Sequence, residues 1–283
     1  MSAVILDGRA IASELLSSLK ADVQKLNPKL VIVQVGEDPA SASYIKQKIK
    51  ACAEVGMRNE HIHLPTKCAR EDLMRTVTAL NQNPDVTGFI VQLPLPPHLT
   101  AFVPELIDAI DPKKDIDGFG AINIGHTFLG SEQLPPATPA GVIHILESSG
   151  IAIEGKRAVV VGRSNIVGKP LAIMLLNRHA TVTICHTRTE ELGRRTKEAD
   201  ILIAAVGKPK MITADMVKKG AVVIDVGMNR TEEGLIGDVD FKAVKEIASA
   251  ITPVPGGVGP MTVASLIKNC VTAKKLQAGR SDV

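Results

Sequence analysis

Short runs of Val, Ile and Leu alternate along this chain with stretches whose apolar residues recur every three to four positions. The runs, such as Leu30–Val35 (LVIVQV) and Ala158–Val161 (AVVV), are apolar nearly throughout rather than at every second residue. That pattern belongs to strands covered on both faces by helices, which restricts the chain to parallel α/β architecture. In the first half, Leu30–Val35 and Gly88–Leu93 read as strands. Ile5–Leu19, Ala40–Val55 and Arg70–Asn81 read as helices, with Gly56 closing the second. In the second half, Ala158–Val161, Thr181–Cys185, Ile201–Val206 and Ala221–Val226 read as strands, and Lys169–Leu176, Thr213–Lys219 and Asp240–Ala250 as helical. Periodicity disappears over Gly130–Pro139, where Thr138-Pro139 offers an N-cap and a first-turn proline for a helix ending before Gly150. The expected domains are therefore 1–137 and 138–262, with a terminal helix over 263–283 packing back on the first.

The length of 283 residues suits two such domains. Aromatic residues make up 2%, so the cores must be built from Val, Ile, Leu, Ala and Met. Thirty-three basic against 30 acidic side chains give a net charge of +3, too balanced to argue for nucleic acid or an anionic membrane. Cys52, Cys68, Cys185 and Cys270 are scattered, without metal-ligand spacing, which reads as reduced thiols and no metal site. The N-terminus lacks a basic-then-apolar leader, and no apolar run approaches the ~20 residues that span a bilayer. A cytoplasmic location with no membrane partner is expected.

Lys156–Pro170 (KRAVVVGRSNIVGKP) runs from a strand through a glycine turn into a helix. Gly162 and Gly168 give G-x-x-x-x-x-G, a departure from the dinucleotide pattern G-x-G-x-x-G and weak alone. Its position at the head of a βαβ unit strengthens it, because a helix N-terminus there can hold a pyrophosphate. About 20 residues on, where an NAD site usually offers an acid to the ribose, Thr181–Thr189 (TVTICHTRT) carries none. His186, Thr187 and Arg188 cluster instead, and Arg163 follows the first glycine. Donors and positive charge suit the roughly −1.5 to −2 charge of a 2′-phosphate, so NADP is the expected cofactor.

In the first half, Tyr44 and Lys48 share one helical face beside the apolar stripe of Ile45, Ile49 and Cys52, whereas Lys46 and Lys50 point away. Lys48 is thus either functional or a snorkelling lysine, and helix geometry does not choose. Gln92 ends an apolar strand, where open α/β sheets place ligands, or else satisfies loop backbone. Asp115 and Asp117 lie in a charged turn, DPKKDIDG, of a kind usually solvated. In Ile251–Thr262 (ITPVPGGVGPMT), six of the eight residues from Pro253 to Pro260 are Pro or Gly. Fixed φ at Pro and close approach at Gly give a shaped loop, either a tight connection or a wall for a flat ligand.

Taken in order, SASYIKQK, GFIVQLPLP, DPKKDIDGF, LPPATPAGV, VVVGRSNIVGKP, AVVIDVGMNR, GDVDF and ITPVPGGVGPMT closely resemble the bifunctional methylenetetrahydrofolate dehydrogenase/methenyltetrahydrofolate cyclohydrolase family. The resemblance implies two α/β domains, the second a Rossmann-like NADP-binding domain, with the active-site cleft between them. It implies hydride transfer from 5,10-methylenetetrahydrofolate to NADP and hydrolysis of the methenyl product to 10-formyltetrahydrofolate. The catalytic lysine of the family falls on Lys48, with Tyr44, Gln92 and Asp117 as companions. Folate contacts fall on Val91, Leu93, Pro255, Gly256, Gly257, Val258 and Gly259 as well. Cofactor contacts fall on Gly162, Arg163, Ser164, Thr187 and, by backbone, Met228. The family's usual reader CHSRT is CHTRT here, which keeps a hydroxyl at Thr187. Lys48 would act as a neutral base or as a charged polariser, and a homodimer is implied.

Tyr44-x-x-x-Lys48 is also the spacing of short-chain dehydrogenases, but there the glycine turn precedes the pair, and here it follows. An amino-acid or shikimate-type dehydrogenase would share the domain order and leave the Pro/Gly loop unexplained. A non-catalytic NADP-binding regulator would have no need of Lys48 and Asp117.

Overall fold

The computed structural model describes residues 2–232 and 234–279, which form two units. One comprises Thr138–Thr262 with residues 2–13, and the other Glu14–Ala137 with residues 263–279. The chain start thus departs from the expected division. Val4–Ile5 is a strand that pairs in parallel with Ala250–Ile251, and the first helix runs over Gly8–Leu26 instead of Ile5–Leu19. Asp7 sets that start, since its Oδ1 accepts the N–H groups of Arg9 at 2.9 Å and Ala10 at 3.3 Å.

In the first of these units all pairings of the main sheet are parallel. Its order is Val4–Ile5, Ala250–Ile251, Val222–Asp225, Ile201–Ala204, Arg157–Val161, Thr181–Cys185. The chain moves from Arg157–Val161 to one neighbour, Thr181–Cys185, and then crosses to the other, Ile201–Ala204. The switch point of this doubly wound sheet therefore lies at the carboxyl ends of 157–161 and 201–204. Val159, Val161, Leu202, Ala204, Val223 and Ile251 are packed in its core. Two expected helices shrink, Thr213–Lys219 to a single turn over Ala214–Met216 and Asp240–Ala250 to Phe241–Val244. Each is preceded or followed at once by strand pairing, which claims the backbone that the helix would have used.

The other unit is a three-stranded parallel sheet, with Lys29–Val35 between Arg58–Leu64 and Gly88–Val91. Leu30, Val31, Ile32 and Val33 are fully buried. The strand Arg58–Leu64 (RNEHIHL) has no legible apolar pattern because it is an exposed edge. The helix Val258–Gln277 starts five residues earlier than expected, so Val258, Gly259 and Pro260 form its first turn instead of loop. Proline is tolerated there because first-turn N–H groups have no helical acceptor. Further along, Asn269 Nδ2 donates to the carbonyls of Ile116 at 2.9 Å and Pro135 at 2.8 Å, and Gln277 Nε2 to Thr87 at 2.7 Å. Thr138 lies inside the helix Ala137–Ser148 and pairs its hydroxyl with Thr262 at 3.0 Å instead of capping. Among the described residues no helix is long and apolar enough to cross a membrane.

Candidate active site and dinucleotide site

Asp38 caps the helix Pro39–Val55 by accepting the Ser41 N–H at 2.7 Å, and Gly56 ends it in a left-handed conformation. Lys48 is only 7% exposed, so it is no surface lysine. Its Nζ donates to Gln92 Oε1 at 2.9 Å, across 44 residues of sequence. Gln92 reaches this point from the end of strand Gly88–Val91, held by its N–H on Val33 O at 2.8 Å. Its amide is oriented by donation from Nε2 to Leu93 O at 2.6 Å, which leaves the oxygen for lysine. Tyr44 is half-buried one turn before Lys48, and burial raises its phenol pKa. Sequence reasoning passed over Ser41, which lies seven residues before Lys48 and so on the same face. Its buried Oγ has no hydrogen-bond partner among the described residues.

The turn DPKKDIDG sorts its charges clearly. Phe89 N–H donates to Lys114 O at 3.0 Å, docking the turn beside strand Gly88–Val91. Lys114 Nζ binds Leu80 O at 2.9 Å and Asn83 O at 2.7 Å, capping the helix Arg70–Gln82. The buried Asp115 accepts N–H groups from Gly118 at 3.0 Å and Gly120 at 2.8 Å, and Asn123 Nδ2 at 3.0 Å. Asp117 differs. It is half-buried, and no group among the described residues donates a hydrogen bond to its carboxylate. With Val91, Leu93 and Phe119 it lines a small recess. Burial pushes its pKa up to about 6, against the charge of Lys48, while Asp115 adds to the rise. Burial likewise lowers the pKa of Lys48, opposed by the Asp117 charge. The pair is a buried lysine whose charged form burial disfavours and a carboxylate with unused acceptor capacity.

In the other unit, Gly162 closes strand Arg157–Val161, and its N–H binds Cys185 O at 2.8 Å. A Cβ there would lie 2.1 Å from Ala205 O, and one on Gly168 2.2 Å from Gly162 O, so the turn closes only with two glycines. The first turn of helix Gly168–Asn177 is not the open anion site that its sequence suggested. Ser164 Oγ already accepts the N–H groups of Val167 at 3.2 Å and Gly168 at 3.3 Å. The amides of Ser164, Asn165 and Ile166, just before the helix, make no hydrogen bond among the described residues. At the end of strand Thr181–Cys185, His186 and Thr189 hold a turn, through His186 N–H on Thr189 Oγ1 at 2.8 Å and Arg188 N–H on His186 Nδ1 at 3.1 Å. Arg163, Thr187 and Arg188 are left exposed, and neither guanidinium is ion-paired among the described residues. The glycine turn, free amides and unpaired arginines together fit a phosphorylated dinucleotide.

The Pro/Gly loop belongs to this same unit. A Cβ on Gly8 would lie 1.8 Å from Gly257 O, and one on Gly256 would lie 3.3 Å from Arg9 Cζ. Gly8 and Arg9 therefore back the loop, a role invisible in a sequence where they stand about 250 residues away. A Cβ on Gly259 would meet Met228 Sδ at 4.0 Å, so those two expected contact residues are neighbours.

A doubly wound sheet with a glycine turn at its switch point, joined in one chain to a unit with a buried lysine and an open carboxylate, defines a dinucleotide-dependent enzyme. Residues 6–117 match the family model described as tetrahydrofolate dehydrogenase/cyclohydrolase, catalytic domain, and residues 136–278 match its NAD(P)-binding domain. The chain belongs to the tetrahydrofolate dehydrogenase/cyclohydrolase family. The bifunctional protein FolD of Moorella thermoacetica is 52% identical over 97% of this chain and 100% of its own. The crystal structure of the FolD dehydrogenase/cyclohydrolase from Campylobacter jejuni superposes with a TM-score of 0.94 at 43% identity, covering 98% of this chain and 100% of that one. The Trypanosoma brucei enzyme, solved with NADP and an inhibitor, gives a TM-score of 0.92 at 36% identity, covering 98% and 99%.

Proposed function

We propose that this chain oxidises 5,10-methylenetetrahydrofolate to the 5,10-methenyl cation with NADP in preference to NAD, and then hydrolyses that cation to 10-formyltetrahydrofolate. The bifunctional one-carbon activity follows from the family and from the relatives at about half identity. The residue roles and the cofactor preference are inferences from the site.

NADP, when bound, accepts the hydride as the methylene C–H bond breaks. On the protein side that step is positioning, since the electron push comes from the folate nitrogens. Asp117 supplies two acceptor oxygens for the donor edge of the pterin, and the backbone of Pro255–Gly259 a face for a flat ring. Arg163 and Thr187 would hold the 2′-phosphate of that cofactor, and Gly162 and Ser164 would receive its pyrophosphate.

Hydrolysis needs proton management. The water oxygen bonds to the methenyl carbon and gives up one proton. The second O–H proton then passes to N5 of the folate as the C–N5 bond breaks, leaving a formyl group on N10. Lys48, with its pKa lowered by burial, takes the first proton, and Gln92 and Tyr44 hold it in place. The single observation that carries this reading is the buried Lys48–Gln92 hydrogen bond of 2.9 Å in the unit that also holds the open Asp117. One assay tests it. Purified protein given 5,10-methylenetetrahydrofolate with NADP or NAD should yield reduced cofactor and a methenyl absorbance that rises and decays. No methenyl signal with either cofactor would sink the proposal.

A further inference from the structure

Two buried carboxylates of the dinucleotide-binding unit have no part in the chemistry above. Asp225 ends strand Val222–Asp225 and is 3% exposed, and Asp238 is fully buried. Asp225 Oδ1 accepts the N–H groups of Gly227 and Asp238, and Oδ2 that of Val239, all at 2.9 Å. Asp238 Oδ2 accepts those of Val206 at 2.6 Å and Gly207 at 2.9 Å. Its Oδ1 accepts Lys208 N–H and Asn229 Nδ2, both at 2.9 Å. Three consecutive amides thus converge on one carboxylate, a nest whose anion is supplied by the chain itself. Gly207, at φ 66, gives the backbone the left-handed step that this convergence needs. Glycines also make room for the carboxylates. A Cβ on Gly227 would lie 2.1 Å from Asp238 Cγ, and one on Gly237 1.8 Å from Asp225 Oδ2.

The nest is placed at the carboxyl end of strand Ile201–Ala204, on one side of the switch point. Ala205 O, immediately before it, is the atom that excludes a side chain at Gly162. Val206–Lys208 therefore follows directly on the residue that abuts the glycine turn, and Asn229, the residue after Met228, ties its own segment to the same carboxylate. Because each peptide's N–H and C=O point opposite ways, the three inward N–H groups turn the carbonyls of Ala205, Val206 and Gly207 away from Asp238.

We propose that Asp238 is a positioning residue for the cofactor: it fixes Val206–Lys208 and the Met228–Asn229 segment in the shape that receives the nicotinamide dinucleotide. The inference rests on dinucleotide binding by this unit and on hydrolysis being carried by the other.

Asp238→Asn is isosteric but places an amide N–H₂ against two of the four donors, so one end of the nest must open. NADP affinity is measured by titration with the reduced cofactor. Hydrolysis of methenyltetrahydrofolate is measured with no cofactor present. For Asp238→Asn the cofactor Kd should rise tenfold or more while hydrolysis stays within twofold. Combining it with Asn229→Asp lets the new amide donate to residue 229 and keeps its oxygen for Val206 and Gly207, leaving only Lys208 N–H unmatched, and should recover part of the affinity. An unchanged Kd in Asp238→Asn overturns the proposal, as does a parallel loss of both activities that the second change does not relieve. Failure of the unsubstituted protein to bind NADP would instead overturn the cofactor reading itself.

Discussion

The two units treat buried carboxylates in opposite ways. Asp225 and Asp238, in the dinucleotide unit, are saturated with backbone N–H donors, and so is Asp115 in the other unit. Asp117, two residues from Asp115, receives none among the described residues. A saturated carboxylate spends its acceptor capacity on shaping the chain. An open one beside a buried lysine costs folding energy and keeps that capacity for a ligand. Saturation therefore separates shape from binding where residue type and sequence position do not.

The largest expected effect lies in the open pair. Lys48→Met should lower methenyltetrahydrofolate hydrolysis at least ~10²-fold, as for loss of an acid–base residue. Dehydrogenase activity and NADP affinity should remain, so methenyltetrahydrofolate accumulates in the coupled assay. Hydrolysis at the unsubstituted rate would remove Lys48 from the mechanism.

The two neighbouring aspartates sharpen the contrast. Asp115→Ala strands several buried donors and should cost about 3 kcal/mol of unfolding free energy, read from urea midpoints. Asp117→Ala should not destabilise and should raise stability at neutral pH, because it removes a carboxylate whose ionised form opposes folding. It should instead weaken folate use in both reactions by about 1–3 kcal/mol, read as kcat/KM. Equal stability losses in the two variants would dissolve the distinction.

Cofactor choice is a smaller effect. The unsubstituted enzyme should favour NADP over NAD about tenfold or more in kcat/KM, near 1.4 kcal/mol. Arg163→Ala should remove most of that preference and barely change NAD use. Equal efficiency with both cofactors before any substitution would count against the 2′-phosphate reading.

A further contrast lies in pH dependence. Burial raises the Asp117 carboxyl from 3.8 to about 6, so its ionised form opposes folding. Its contribution makes stability fall as pH rises from about 4 to about 6 and stay level above, because the folded state binds the extra proton. Folate binding runs the other way. Accepting pterin N–H groups requires the carboxylate, so the folate KM should climb as pH drops through about 6. Asp117→Asn should abolish both inflections, and a KM profile that keeps its inflection in that variant would assign it to another group.

Much of this protein was written in its sequence, because it depends on local rules. Apolar runs of about six residues announced parallel strands. Gly56 marked the end of the helix that carries Lys48, and strand–glycine–helix order marked the dinucleotide turn. Family motifs then pointed to the folate chemistry. Sequence failed where pairing with distant chain overrode local preference. The edge strand Arg58–Leu64 exists because Lys29–Val35 lies beside it, and Val4–Ile5 is a strand because Ala250–Ile251 supplies a partner. The helix N-terminus after the glycine turn read as open to a pyrophosphate, yet the Ser164 hydroxyl already accepts its Val167 and Gly168 N–H groups. Lys48, a coin-toss on its helix wheel, was decided by burial and by a glutamine 44 residues away. Asp115 and Asp117 are the same residue type in the same turn, and only the direction of nearby N–H groups tells them apart. Hydrogen-bond saturation depends on which donors three-dimensional folding brings within about 3 Å, and no one-dimensional pattern encodes that.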